Sequence, residues 1–167
     1  MTKEEMSVYL NKEYAEANRY MDNAKRTLNK AGKGDDGFYN DAKYVRSACG
    51  TAYLGVLIAL EAWLTTRGVD MPNPKKKNRS IDFYTAKVSK IDGAMLKYLN
   101  SAYNVLHLEG YYRYETNVKV ITGGFDSAYT IINRIKPDAI IDVKDTRMGA
   151  LKRTLNTLLI PAFGLPG

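Results

Sequence analysis

The chain has 167 residues, of which 45% are hydrophobic and 26% charged, with five prolines; this supports one buried core and excludes disorder over most of its length. The formal net charge is +7, and Lys75, Lys76, Lys77 and Arg79 supply four of those charges within one linker. The basic excess therefore describes a solvated loop more than a face built for phosphates.

The start, Met1-Thr2-Lys3-Glu4-Glu5, lacks the basic-then-apolar order of an export signal. The longest apolar run, Ala52 to Leu60, is shorter than the roughly 18 residues a membrane span needs. A cytoplasmic protein with no membrane partner is expected.

In the first segment, Leu10, Tyr14, Ala17, Met21, Ala24, Leu28 and Ala31 alternate by four and three residues, which predicts a helix from Lys3 to Ala31 with one apolar face. The Gly32 to Gly37 stretch then ends it. So short a loop implies that the next helix returns antiparallel. That second helix repeats the alternation through Phe38, Ala42, Val45, Cys49, Ala52, Val56, Ala59 and Trp63, and adds a second stripe through Tyr53, Leu57, Leu60 and Leu64. Two apolar faces place it at the centre of the fold, and Ala48, Gly50, Ala52, Gly55 and Ala59 let neighbouring backbones approach it closely. Cys49, the one cysteine, lies on this stripe and reads as a buried, unreactive thiol.

From Gly68 to Arg79 the pattern stops, and Pro72, Pro74 and the basic run predict an exposed, mobile connection. Ser80 caps a predicted third helix carrying Ile81, Tyr84, Val88, Ile91, Met95, Tyr98, Ala102 and Val105, and ending near Gly110. A fourth carries Val118, Ile121, Phe125, Ala128, Ile132 and Ile135 up to Pro137, with Gly123-Gly124 marking either close packing or a break. Met148, Leu151, Leu155 and Leu158 fit one more amphipathic helix. The predicted fold is all-α: an antiparallel four-helix up-and-down bundle over residues 1–136, with a helical extension over residues 137–167 packed on the same domain.

Catalytic signatures are missing: there is no P-loop, dinucleotide fingerprint, nucleophile elbow, cysteine pair or His-Glu-x-x-His. With one His and one Cys, no metal site and no cofactor is expected. The densest group of functional side chains is Leu106-His107-Leu108-Glu109-Gly110-Tyr111-Tyr112-Arg113-Tyr114-Glu115. Here His107, Tyr111, Tyr112 and Arg113 are the candidate ligand-binding residues, since a guanidinium pairs with anionic oxygens and tyrosine rings offer flat faces. The plainer alternative has the tyrosines finishing the core, Arg113 and Glu115 in solvent, and His107 in a local hydrogen bond. Arg19, Arg26 and Arg46 read as members of solvated helix faces, with no catalytic role.

The order of these features, with Tyr44-Val45-Arg46-Ser47-Ala48, then Ala52 to Leu60, then Leu106-His107-Leu108-Glu109-Gly110-Tyr111-Tyr112, resembles the HEPN superfamily of four-helix bundles, over about Tyr9 to Ile135. It looks most like an uncharacterised bacterial branch. The resemblance implies a compact bundle that often dimerises and sometimes pairs with a nucleotidyltransferase-type antitoxin. Active members of that superfamily cleave RNA with an Arg followed, roughly four to six residues on, by a His. Before His107 the corresponding positions hold Asn100, Ser101 and Ala102, so catalysis is not implied. The expected function is a non-catalytic module for protein interaction or oligomerisation, as a homodimer or with another protein, carrying a nucleotide- or RNA-binding surface near Tyr112 and Arg113. The competing expectation is an RNA-cleaving or nucleotide-modifying enzyme using His107, Arg113 and a tyrosine.

Overall fold

A computed structural model describes residues 1–73 and 79–137. Each helix begins where the sequence supplies an oxygen-bearing cap for the otherwise orphaned N–H groups. Thr2 and Glu5 form a reciprocal capping box at the start of α1 (Lys3–Asn29), and Asp41 caps α2 (Ala42–Thr65). Ser80 caps α3 (Ile81–Val88), Asp92 caps α4 (Gly93–Ala102), and Asn117 caps α5 (Val118–Asn133). Between α4 and α5 the chain continues without interruption into a π-helical segment, Tyr103–Tyr112. Among the described residues there is no strand, only isolated bridges pairing Lys33 with Tyr39 and Phe38 with Asn117.

The predicted stripe of α1 is the buried one: Leu10, Ala17, Met21, Ala24 and Leu28 all lie inside. Helix α2 is buried along both expected stripes apart from the half-buried Ala42 and Leu57, and packs against α1, the π-helical segment and α5, whereas Phe38, expected to open the first stripe, lies before the helix and is exposed. Its length and composition would suffice to cross a membrane, but most of it is covered by its neighbours, as a core helix is. Where α2 meets α1, Tyr9 lies beside Thr65 near one end, and further along Gly55 lies against the Ala17 carbonyl and Tyr20.

The third helix departs from expectation. The alternation through Ile91 suggested one helix from Ser80 to Gly110, but the chain breaks after Val88 and restarts at Gly93. The reason is local: the Asp92 carboxylate accepts from the Ala94 and Met95 N–H groups at 2.9 Å, a stronger start signal than the continuing period. Ile91 consequently turns to solvent, 41% exposed, and the buried stripe resumes as Met95, Leu99, Ala102 and Leu106 in place of the expected Tyr98 and Val105.

Arg79, grouped by sequence with the solvated basic run, is not in solvent. Its guanidinium pairs with Glu61 of α2, its Nε donates to the Pro72 carbonyl at 3.0 Å, and the Tyr84 hydroxyl donates to the same Glu61 carboxylate. The intervening Lys75, Lys76 and Lys77, and the amphipathic stretch of Met148, Leu151, Leu155 and Leu158, lie outside the described residues.

The Gly123-Gly124 pair does not break α5, and its two members differ. A Cβ on Gly124 would sit 2.5 Å from Val105 Cγ1 and 3.0 Å from a Leu106 methyl, whereas one on Gly123 would meet nothing within 4 Å. Gly124→Ala should therefore destabilise by about 1–3 kcal/mol through overpacking. Gly123→Ala should stabilise by about 0.5–1 kcal/mol through helix propensity. Chemical denaturation of both variants checks the pair, and equal effects would contradict the packing described. Glu61→Gln should cost about 1–3 kcal/mol, because it leaves the partly buried Arg79 charge without its counterion; the same titration reads it.

Candidate functional site

Tyr103, His107 and Tyr111 follow one another every four residues, and the widened turns of the π-helical segment stack them. His107 lies 5.3 Å from the Tyr103 ring at 28° between planes, and 6.1 Å from Tyr111 at 9°. Tyr53 of α2 leans on the imidazole at 4.8 Å, and Tyr112 stands edge-on to both His107 and Tyr111 at 5.1 Å. Such offset and edge contacts suit the ring quadrupoles.

The ladder rests on two glycines. A Cβ on Gly50 of α2 would come within 3.0 Å of the Tyr111 ring, and one on Gly110 would fall 2.4 Å from the Cys49 sulfur. A side chain at Gly110 would push the π-helical segment away from α2, and one at Gly50 would press on the Tyr111 ring. One turn before Gly50, the Arg46 guanidinium lies between two rings, 5.0 Å from the centroid of Tyr111 and 4.9 Å from that of Tyr114. Its Nη1 also donates to the Tyr114 hydroxyl at 2.7 Å. Tyr114 holds a left-handed backbone, φ 61°, unusual for a bulky residue, and these contacts to Arg46 help to hold it there.

Burial lowers the His107 pKa below its ordinary value, so the imidazole is neutral at pH 7. Burial likewise pushes the Cys49 thiol up to about 12, removing it as a nucleophile, and raises the Tyr53 hydroxyl. Nearby carboxylates are engaged: Glu109 pairs with Arg113 at 2.6 Å, and Glu115 accepts from the Asn117 N–H at 2.6 Å. No group of three or more His, Cys, Asp or Glu among the described residues could hold a metal ion.

Of the four residues singled out by sequence, His107, Tyr111 and Tyr112 are brought together. Arg113 is not part of the ladder; it is two-thirds exposed and tied to Glu109 one turn back. The cation of the cluster is Arg46, read from sequence as a solvated side chain, and Gly50, Tyr53, Tyr103 and Tyr114 complete it. The four-residue spacing of Tyr103, His107 and Tyr111 was a visible signal. Nothing local announced Arg46, because its partners lie 65 and 68 positions away.

A helical protein whose central helix carries an aromatic and arginine cluster at one end is the class these observations define. The chain belongs to the family DUF5618, a domain of unknown function, whose model matches residues 12–137. A solved structure, a protein of unknown function from Dyadobacter fermentans, is 35% identical, with a TM-score of 0.62 over 75% of this chain and 94% of that one. No curated protein matches the chain.

The depressed His107 pKa has a consequence for stability. Below pH 6.5, the ordinary value, the unfolded chain takes up a proton that the folded one resists, so stability is full above that pH and falls as the pH drops toward the folded value. Melting scans between about pH 5 and pH 8 should show a steeper acid-side loss for the wild type than for His107→Gln, around the ordinary imidazole pKa. Parallel profiles would mean that His107 is not shielded from water.

Proposed function

We propose that the chain is a non-catalytic helical binding module, an element for protein interaction or oligomerisation, built as a HEPN-like antiparallel up-and-down bundle. The bundle reading is supported by the order of contacts between helices. Tyr9 meets Thr65 while Ala17 meets Gly55; Arg134 meets Asp92 while Ser127 meets Ser101 and Gly124 meets Val105. In each pair, one partner's number rises as the other's falls. The third limb of the bundle is then α3, α4 and the π-helical segment together.

The observation that carries the binding reading is how the functional groups are used. His107 lies among aromatic rings, with no hydrogen-bond partner among the described residues, so nothing orients it as an acid or base. Arg113 is held by Glu109. What remains presented to solvent is apolar and aromatic: Tyr112 at 58%, Tyr114 at 53%, and Leu54 of α2 at 50%. Leu54 continues into the half-buried Leu57 and Ile58, with Thr51 beside it. An outward apolar strip on the most central helix suits a second copy of the chain. RNA cleavage centred on His107 and Arg113 has weaker support, since the two side chains serve separate local contacts.

Light scattering should return the mass of two chains in the micromolar range for the wild type and of one chain for Leu54→Glu. A single-chain mass for the wild type would remove self-association. Incubated with RNA, the wild type and His107→Gln should leave the substrate equally intact; cleavage by the wild type alone would make the protein an enzyme.

A further inference from the structure

Resting on the reading of the α2 strip as the place where a second copy docks, we propose that residues 147–158 of the same chain occupy that strip when no second copy does. They do so as an amphipathic helix that sets Met148, Leu151, Leu155 and Leu158 against Leu54, Leu57 and Ile58. The tail thereby competes with self-association and sets the concentration at which two chains pair.

Leu54 is 50% exposed and stands between the half-buried Leu57 and Ile58. Ile58 lies about one turn from Gly55, which rests on Tyr20 of α1, and Leu57 lies about one turn from Tyr53, whose ring meets Tyr103 and His107. The strip is therefore the floor of a groove, with α1 along one side and the π-helical segment along the other. Thr51 and Glu61 bound it, a length of about 15 Å of helix. Ile91 and Tyr98 are exposed too, but the helix break at Asp92 divides them and only Ala94 lies between them on that face.

The point at which the described chain leaves makes its own tail the nearest occupant. Arg134 lies 3.7 Å from Asp92, and Tyr84 of the preceding helix bonds Glu61, so α5 finishes at the end of the protein where Glu61, Thr65 and Tyr9 stand. Residues 138–146 extend to about 30 Å, more than the 20–24 Å or so across two helices. Met148 to Leu158 is about 15 Å of helix, the length of the groove. Its spacing of three, four and three is also that of Thr51, Leu54, Ile58 and Glu61, the rows by which helices interlock.

Charge agrees with that assignment. From Thr146 to Gly167 the sequence holds Arg147, Lys152 and Arg153 and no Asp or Glu, and on a helix Arg147 and Lys152 flank the apolar stripe on either side. The acids at the arriving end are Glu13, Glu16 and Glu61. Glu16 is held by Arg19 at 2.6 Å and Glu61 by Arg79, whereas Glu13 has only Lys12 at 4.0 Å, itself 80% exposed. Lys43 and Arg46 stand at the opposite end of the strip, so a basic helix is drawn to the half nearer its tether. Exposed ion pairs contribute little, and apolar contact sets the affinity. A tether this short holds the tail at millimolar effective concentration, so a weak contact suffices to occupy the groove.

Disulfide trapping in the full chain tests the contact, because Cys49 is buried and leaves an introduced pair to react alone. Leu54→Cys combined with Leu151→Cys or with Leu155→Cys, oxidised at sub-micromolar concentration, should close within one chain. Closure should be about tenfold faster than for Leu54→Cys with Thr157→Cys, which falls on the opposite face of the same helix. Sedimentation reads the competition: Leu151→Glu with Leu155→Glu frees the strip and should tighten pairing by about tenfold, as when each of two strips had been free roughly a third of the time. A link joining two chains, or equal closure at positions 151, 155 and 157 with the circular dichroism unchanged, would overturn the proposal. So would a two-chain form held equally by the wild type and the double glutamate variant, and in each of these cases self-association still stands. Single-chain mass for both proteins, with the link closing inside one chain, would uphold the seated tail and remove the second copy.

Discussion

The structure depends on how closely α2 is approached by its neighbours. At Gly55 the α1 backbone comes near enough that a Cβ would lie 3.1 Å from the Ala17 carbonyl; at Gly50 the limit is the Tyr111 ring, and at Gly110 the Cys49 side chain. Gly124 of α5 meets the π-helical segment at Val105 and Leu106. Gly110 and Gly124 leave no room for a methyl group and at Gly50 and Gly55 one would press on its neighbour, so the interfaces are set by close packing. Trp63, Met21, Leu60 and Leu106 are fully buried in the core that results.

The aromatic cluster follows from that constraint. Because Gly110 seats the π-helical segment on Cys49, and Gly50 admits the Tyr111 ring, the stack of Tyr103, His107 and Tyr111 lies against α2 and not above it. Arg46 is one turn of α2 from Gly50, which brings its guanidinium to the end of the stack, and Tyr114 closes over it. The left-handed backbone of Tyr114 and the hydrogen bond to Arg46 thus belong to one arrangement: the turn that reverses the chain toward α5 also supplies the outer ring. The turn is fixed in place by the Tyr39 N–H donating to the Thr116 carbonyl and the Val118 N–H to the Gly37 carbonyl.

How far the sequence foretold this can be seen residue by residue. Helices α1, α2 and α5 were legible because apolar side chains recurring by threes and fours have few other uses, and the double stripe on α2 marked a helix that packs on α1, the π-helical segment and α5. The break at Asp92 was not, since periodicity continues in register across it; a side chain that caps costs the pattern nothing and ends the helix all the same. The π-helical segment was also hidden, as its extra width is a matter of hydrogen bonding and not of which residues are apolar. For the site, the crowding of His107, Tyr111 and Tyr112 was local and therefore visible, whereas Arg46 and Arg113 exchanged the roles expected of them. A nearby Glu109 claimed Arg113 by helical spacing alone, and Arg46 gained its partners through tertiary packing.

That exchange has a physical reason. The pair of Arg113 with Glu109 is local, so it can form wherever that helical turn is kept. Arg46 has no carboxylate partner among the described residues and takes its place from the rings of Tyr111 and Tyr114 and the Tyr114 hydroxyl. The neutral His107 suits that placement, since a protonated imidazole inside the stack would repel Arg46 across Tyr111. The position of Arg46 among the rings and the shielding of His107 from water thus both follow from the way the π-helical segment packs on α2.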